Sequence, residues 1–324
     1  MAAVMNPFTS GRWVMESKPQ TVWGGSHASW FFAMGVGGAL FINRALFGME
    51  MGRLCFTGGG LELCEKGLIL ADVLSMVFIG IGGLILIADL GKPMRVLRAL
   101  LNPRTSWISV GAICDFIFLV LAGLWIIPDL EVAGGRPLAW LPWAGNSPLG
   151  IAFQVVAGAA AFIVIVYPGL VLACSPSIPF WNTALIPLQY LAFAFASAVG
   201  LTLVSVFWAP VPSETLVIWG SAEAMLLVVT LILFVAHLLN GATSHVSAKV
   251  SVDRLIKGEL RSSFLWGVLL GGLSLPMLLI LYGSLWSSSS PDLILLSVAG
   301  AITLLGNWFS KYTVIKAGAY APFL

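Results

Sequence analysis

The sequence predicts an all-α membrane protein that crosses the bilayer eight times. Of its 324 residues, 59% are hydrophobic and only 9% are charged, and soluble domains of this length carry far more charge. Eight apolar runs each come close to the roughly 20 residues that a spanning helix needs. The runs lack the alternation of strands, and open sheet edges do not occur in lipid, so each run is expected to be a helix.

The spans are expected to form two four-helix bundles. In chain order they cover residues 28–50, 66–90, 105–127, 148–173, 184–208, 215–240, 263–286 and 292–310. The chain then divides into an N-terminal arm, two helical halves and a tail, at residues 1–27, 28–174, 175–310 and 311–324. The arm has no short apolar core with a small-residue cleavage site, so it is not expected to be a removable signal.

The distribution of basic residues predicts the orientation of the chain. Eight spans place both termini on one side, together with the loops after the second, fourth and sixth spans. That side, called the basic face below, holds twelve of the sixteen Lys and Arg residues: Arg12, Lys18, Lys92, Arg95, Arg98, Arg104, Lys249, Arg254, Lys257, Arg261, Lys311 and Lys316. The opposite side, the far face, holds three, Arg53, Lys66 and Arg136. By the positive-inside rule both termini are cytoplasmic, although the same bases would also suit an acidic docking partner.

Cysteines and histidines give no sign of a bound metal. The four cysteines contain no CxxC pair, so neither an iron–sulfur cluster nor a zinc site is expected. The three histidines are too few and too poorly placed for a bis-histidine haem. Cys55 and Cys64 share one short loop and would pair on an oxidising side, but two free thiols are the expected state. The net charge of +2 does not indicate a nucleic-acid partner.

Five charged residues fall within the expected spans: Arg44, Asp72, Asp89, Asp115 and Glu223. A charge in the bilayer is costly unless it is paired or hydrated, so each is a functional candidate. Their different depths suit a relay that passes protons through the bundle. Alternatively, Arg44 pairs with one of the carboxylates as a buried structural bridge.

Two segments at the basic face are candidates for ligand binding. Tyr167 stands before Pro168 and Gly169, where a helix break would let its hydroxyl point at a ligand; the alternative is an interfacial anchor. His27 opens the first span with Ser26 and Ser29 beside it, and a histidine at a membrane boundary can donate to a quinone carbonyl and exchange a proton.

The loop after the second span is strongly basic. It contains Lys92, Arg95, Arg98 and Arg104, together with two prolines, Pro93 and Pro103. This surface would bind lipid headgroups or seat a partner protein.

Four blocks of the sequence resemble the NrfD family, the membrane subunits typified by polysulfide reductase. They are SWFFAMGVGGALF (29–41), ADLGKPMR with NPRTSWISVGA (88–112), YPGLVLACSPSIPFWNTALIP (167–187) and KYTVIKAGAY (311–320). The third block is the most specific. The resemblance implies a subunit that carries no haem or cluster, has no catalytic residue of its own, and lies in a prokaryotic plasma membrane.

The resemblance also implies a function and partners. Family members anchor a four-cluster ferredoxin-type iron–sulfur protein, often with a molybdopterin catalytic subunit behind it, and bind menaquinone or ubiquinone near the docking face. Tyr167 matches the family's quinone-contacting tyrosine, and Asp89 stands where the family has an acid. The family's asparagine and histidine align with Ser26 and Ser29, with His27 between them. An ion or solute transporter, or a passive anchor without a quinone site, is the alternative.

Overall fold

The computed structural model describes residues 17–89, 102–283 and 291–322. Nine α-helices follow one another in these ranges, and one π-helical segment, Ser263–Ser274, runs directly into the eighth. They are α1 (Gly25–Phe47), α2 (Leu70–Asp89), α3 (Trp107–Ile126), α4 (Pro148–Ala173), α5 (Leu185–Ser205), α6 (Ser213–Ser244), α7 (Val246–Ile256), α8 (Leu275–Leu281) and α9 (Leu293–Ala317).

Eight of these helical stretches are long and apolar enough to cross a membrane. They are α1 to α6, the combined stretch Ser263–Leu281, and α9, and each overlaps one of the expected spans. Only α7, with 11 residues, is too short among the described helices. The prediction of a multi-pass helical membrane protein with eight spans is therefore confirmed.

Helix α1 lies at the centre of the bundle. Its most apolar window is 72% buried, as is that of α5, whereas the windows of the other spans are 28–44% buried. It packs against α2 and α4 on one side and against α5 and α9 on the other. Helix α1 thus contacts both expected halves, and the division into two bundles stays a prediction.

Glycines allow the central helices to approach closely. A Cβ atom at Gly37 would lie 2.8 Å from the carbonyl oxygen of Ser75 in α2, and one at Gly38 would lie 2.8 Å from that of Ala161 in α4. The pair Gly200 and Gly300 brings α5 against α9 in the same way. Small residues at such crossings are the usual basis of helix packing in lipid.

A three-stranded antiparallel sheet, which the all-α prediction missed, joins α1 to α2. Its strands are β1 (Arg53–Thr57), β2 (Gly60–Cys64) and β3 (Leu68–Ile69), in the order β2-β1-β3. Apolar residues alternate along β2, β1 carries three consecutive apolar residues, and glycines fill the turn between them, which is consistent with a hairpin. These strands are too short to stand out in the sequence beside the long apolar spans.

A disulfide joins Cys55 of β1 to Cys64 of β2. The expectation of two free thiols is therefore wrong. The hairpin pairs Cys55 with Glu62 and Arg53 with Cys64, so the two cysteines stand nearly opposite each other and their Cα atoms are 6.0 Å apart.

The sequence suggested a helix break at Pro168, but helix α4 is continuous there. It continues to Ala173 with Pro168 inside it. A transmembrane helix tolerates proline because its neighbours compensate for the lost backbone bond. Gly169 instead marks a close approach, since a Cβ there would lie 2.5 Å from the Cα atom of Pro187.

Helix α9 is longer than expected. Its span was expected to end at residue 310, before two lysines, but the helix runs to Ala317. Lys316 lies in its last turn, while Lys311 is buried inside the bundle. Lys311 therefore does not belong to the exposed tail or to the charges displayed at the basic face.

We expect Gly306→Val to destabilise the bundle. A Cβ at Gly306 would lie 2.1 Å from the Cα atom of Gly272, so α9 would have to move away from the π-helical segment. Overpacking of this kind costs about 1–3 kcal/mol, and the melting temperature in detergent should fall by several degrees. Gly80→Val in α2 is the control, since no atom lies within 4 Å of its added Cβ. Equal melting temperatures for both variants would contradict the close crossing.

Candidate functional site

Three helices converge on the phenol of Tyr167. Tyr167, on α4, is fully buried. Its hydroxyl oxygen lies 2.7 Å from the sulfur of Met34 on α1 and 3.5 Å from Oδ2 of Asp115 on α3. Its ring stacks on Trp30, with the ring centroids 6.1 Å apart. The phenol thus lies between an acid, a thioether and an indole in the first half of the chain.

Gly111 lets α3 come close enough for this contact. A Cβ atom there would lie 2.3 Å from the ring of Tyr167. Any side chain at this position would displace the phenol or α3, and with α3 the carboxylate of Asp115. Gly111 belongs to the second of the four sequence blocks, so the resemblance had already drawn attention to this segment.

Several buried polar atoms around the phenol have no hydrogen-bond partner among the described residues. They are Nε1 of Trp30, Oδ1 of Asp115 and, one to two turns earlier on α3, Oγ of Ser109. Buried polar groups are almost always paired, and an unsatisfied cluster calls for a specific explanation. Two donors and a carboxylate at one place suit a polar ligand with carbonyl oxygens.

His27 and Asp89 form a second group at the edge of the bundle. Nδ1 of His27 lies 3.6 Å from Oδ2 of Asp89, and both side chains are about one-fifth exposed. The ring of His27 also contacts that of Trp23, with centroids 4.8 Å apart. The pair joins the beginning of α1 to the end of α2 and is in reach of water, as a proton-exchanging pair must be.

The two groups lie at different depths, although the sequence placed Tyr167, His27 and Asp89 together at the level of the basic face. The phenol of Tyr167 touches Met34, seven residues beyond His27 on α1, which corresponds to about 10 Å along a helix. The reason is that α4 extends six residues beyond Tyr167, so this residue is not at the helix end. Trp30 lies between the two groups on the same face of α1.

The two serines of this segment are not directed at Tyr167. Ser26 is exposed, and its hydroxyl oxygen lies 3.3 Å from Nδ1 of His27. Ser29 donates to the carbonyl oxygen of Gly25 and accepts a hydrogen bond from Nε1 of Trp308 on α9. Ser29 thus helps to fix α1 against α9.

Arg44 and Asp72 form a buried ion pair near the far face. Nη2 of Arg44 lies 2.8 Å from Oδ1 of Asp72, and its Nε donates to the same oxygen. The guanidinium also stacks over Trp125, 4.1 Å from the ring centroid. Of the two interpretations open from the sequence, this geometry is that of the structural bridge.

The remaining candidates lie apart from Tyr167. Glu223, on α6, is fully buried against Gly200 and Gly300 in the second half. Arg104 is exposed before α3, at the basic face. Lys92, Arg95 and Arg98 lie outside the described residues.

Trp30 and Met34 are the site residues that the sequence analysis missed. They follow His27 at spacings of three and seven residues, so they share its face of α1. That spacing was a usable signal, but apolar residues at helical spacing are also the ordinary pattern of a packed core.

We expect removal of either partner of the Arg44–Asp72 pair to be more harmful than removal of both. Arg44→Met would leave a buried carboxylate without a partner, at a cost of about 3–5 kcal/mol. Asp72→Leu would leave the buried guanidinium of Arg44 without its carboxylate partner. The double variant should recover much of the melting temperature, because an apolar replacement of a buried pair is often neutral. Additive losses across the cycle would show that the two residues do not interact.

Comparison with known proteins agrees with the resemblance of the four blocks. The chain matches the family described as polysulphide reductase, NrfD, over residues 13–322, nearly its whole length. No match to an individual curated protein accompanies it. The match includes all eight spans and every candidate site residue, and the chain therefore belongs to the NrfD family of membrane proteins.

Proposed function

We propose that this chain is the quinone-reactive membrane subunit of a respiratory oxidoreductase complex. Family membership implies a membrane subunit of such complexes. The observation that carries the quinone exchange is the phenol–carboxylate pair of Tyr167 and Asp115, with unsatisfied polar atoms on Trp30 and Asp115 around it. This is a polar site inside an apolar bundle, below a histidine–aspartate pair that water can reach.

The residues present fit a quinone. A quinone ring is flat and apolar with an acceptor oxygen at each end, and bound quinone supplies the two-electron, two-proton chemistry. The hydroxyl of Tyr167 and Nε1 of Trp30 are donors for the inner oxygen, and His27 is a donor at the outer end. Menaquinone and ubiquinone share this pattern of acceptors.

Met34 controls access to the phenol. Tyr167 is fully buried, and its hydroxyl donates a hydrogen bond to the sulfur of Met34. A ligand reaches the hydroxyl once this side chain turns aside, and methionine is unbranched and adaptable enough to do so. Binding therefore requires at least a rotamer change of Met34 on α1.

The acids provide places for the accompanying protons. Asp89 and His27 stand at the water-accessible end, and Asp115 stands beside the phenol at the inner end. A proton donor or acceptor must lie within hydrogen-bond reach of the group it serves. We assign Asp89 and His27 to exchange with water, and Asp115 to the inner oxygen.

The basic face is the proposed docking surface for the iron–sulfur subunit. NrfD proteins generally partner with iron–sulfur and catalytic subunits. Arg104 is exposed there, and Lys92, Arg95 and Arg98 precede it in the sequence, outside the described residues. Clustered bases steer an acidic partner. A four-cluster ferredoxin-type protein docked here would bring its nearest cluster towards His27, with a molybdopterin subunit behind it.

Two independent observations support an orientation with this face in the cytoplasm of a prokaryotic plasma membrane. Twelve bases were assigned to this side and three to the other, and the burial of Lys311 reduces the contrast only to eleven against three. The disulfide lies in the hairpin at the far face, and disulfides persist in oxidising compartments such as the periplasm.

A transporter is less well supported than quinone exchange. Its mechanism would use free buried carboxylates, but Asp72 is paired with Arg44 and Asp115 lies beside Tyr167. Glu223 differs from these acids, because it is buried and takes part in none of the ion pairs found among the described residues. A passive anchor would leave the unsatisfied atoms near Tyr167 without a role.

We expect Tyr167→Phe to abolish or strongly reduce quinone-coupled turnover of the complex, by about 10² or more. The variant removes only the hydroxyl that faces Asp115 and Met34. Complex assembly and electron transfer to an artificial dye should be unchanged, because neither uses the phenol. The measurement is turnover with a soluble quinone against turnover with the dye in the same purified complex.

Tyr282→Phe is the matched control, because its side chain is exposed in a later span. Unchanged quinone turnover in Tyr167→Phe would reject the site. Uptake of a solute by the isolated chain in vesicles, without bound quinone, would favour the transporter. An iron–sulfur partner that copurifies without quinone would favour the passive anchor.

The orientation can be tested with a natural thiol. Cys174 is free and exposed just after α4, at the basic face, whereas Cys114 is buried. We expect a membrane-impermeant maleimide to label Cys174 in inside-out vesicles and not in intact spheroplasts. Cys174→Ser should remove the label, and after reduction Cys55 and Cys64 should label from the outside. Labelling of Cys174 in spheroplasts would reverse the orientation.

A further inference from the structure

Lys311 is buried in the second half of the bundle. It lies on α9 with 1% of its surface exposed. Its Nζ donates to Oδ1 of Asn307 at 2.6 Å and stands 4.4 Å from the centroid of the Tyr190 ring. None of the ion pairs found within the described residues includes Lys311. Its amine therefore faces an amide oxygen and a ring instead of a carboxylate.

Such a position is unusual for a lysine that remains charged. Intramembrane cations pair with carboxylates or face water-filled cavities, because an isolated charge in the bilayer is costly. Arg44 in the same protein obeys this rule through its pair with Asp72. A lysine, in contrast to an arginine, can lose its proton when it is buried.

Lys311 is connected to a series of polar side chains. Asn307, one turn earlier on α9, donates through Nδ2 to the hydroxyl of Ser197 on α5 at 2.9 Å. One turn beyond Ser197, Gly200 lies against the carboxylate of Glu223, whose Oε1 is 2.9 Å from the position of an added Cβ. Hydrogen bonds join Lys311, Asn307 and Ser197, and Glu223 on α6 lies one turn further along without a hydrogen bond to Ser197 among the described residues. We call Lys311, Asn307, Ser197 and Glu223 the α5–α9 polar column.

The column spans much of the membrane. Gly300, which meets Gly200 beside Glu223, is 11 residues from Lys311 on α9, or about 16 Å along the helix. Lys311 is six residues from the end of α9 at the basic face. One titratable group thus lies near that face and the other lies deep in the bundle.

The surroundings of the amine are otherwise poor in charge. Helix α5 contributes Tyr190, whose hydroxyl has no partner among the described residues, and the π-helical segment and α8 contain no acid or base. The other titratable groups on α9 and the helices packed against it are His27 and Arg44 on α1, Lys249, Asp253 and Arg254 on α7, and Tyr312 and Lys316 on α9 itself. Helix α6, which packs against α5, adds Glu214, Glu223 and His237.

We propose that Lys311 is a proton-binding site inside the membrane, with Glu223 as its counterpart at the other end of the column. The neutral amine takes a proton from the basic face to become an ammonium. It releases that proton towards the carboxylate of Glu223, which becomes a neutral acid. No electron is transferred in these steps. The proposal does not depend on a quinone at Tyr167, because the two sites lie in different parts of the bundle.

The first test is the pH dependence of thermal unfolding of the full chain in detergent. The difference in melting temperature between wild type and Lys311→Met should change by about 2 °C or more between about pH 5 and pH 9. An amine that changes its protonation between the folded and unfolded states produces this change. A difference that is constant with pH would overturn the proposal.

Lys311→Arg distinguishes a side chain that gains and loses a proton from one that is permanently charged. Arginine donates the same kind of hydrogen bond to Asn307 but stays protonated. The difference between Lys311→Arg and Lys311→Met should therefore be constant with pH, while each differs from wild type in a pH-dependent way. An Arg variant with the same pH profile as wild type would show that Lys311 is a fixed structural cation.

Two further variants test which residues produce the pH dependence of the melting temperature. Glu223→Gln should alter the pH profile of the wild type, because it removes the second titratable group of the column. Tyr167→Phe should leave the difference between wild type and Lys311→Met unchanged, so failure of the quinone proposal cannot mimic failure of this one. An unchanged profile in Glu223→Gln would remove Glu223 from the column.

Discussion

The structure depends on the close packing of α1 against its neighbours. Gly37 and Gly38 place the backbone of α1 against carbonyl oxygens of α2 and α4. Without the gain of apolar burial that drives folding in water, helices in lipid rely on such contacts. Because α1 also packs against α5 and α9, it holds the phenol site on one side and touches the stem of Lys311 at Gly35 on the other.

Polar groups in the bilayer need partners, and the chain provides them in two ways. Arg44 and Asp72 neutralise each other and stack on Trp125. Hydroxyls such as that of Thr303 donate to the carbonyl four residues earlier in the same helix. The atoms around Tyr167 and the amine of Lys311 follow neither solution, and these two places are where we assign chemistry.

The sequence predicted the spans well because long apolar runs are a strong and local signal. It also placed His27 and Asp89 correctly at two helix ends that meet, whereas Tyr167 lies six residues inside α4. It failed where the outcome depends on neighbouring helices. Pro168 suggested a break, but α4 continues to Ala173, and Gly169 packs closely against Pro187 on α5.

Side-chain partners could not be predicted for the same reason. Spacing along one helix does not show which helix faces it, so the choice of Asp72 as partner of Arg44 required the fold. Lys311 looked like part of a basic tail, because a charged residue after an apolar run normally ends a span. The hairpin was overlooked because its short alternating strands stand between two much stronger helical signals.

The disulfide-bonded hairpin connects α1 to α2 at the far face. Strand β1 pairs with β2 through the Cys55–Cys64 bond and also with β3, which runs directly into α2. The exit of α1 and the entrance of α2 are therefore joined by a cross-linked ribbon, which limits how far the two helices can splay. At the opposite end the ion pair between His27 and Asp89 joins the same two helices in place of a covalent link, so separation of α1 from α2 meets less resistance there.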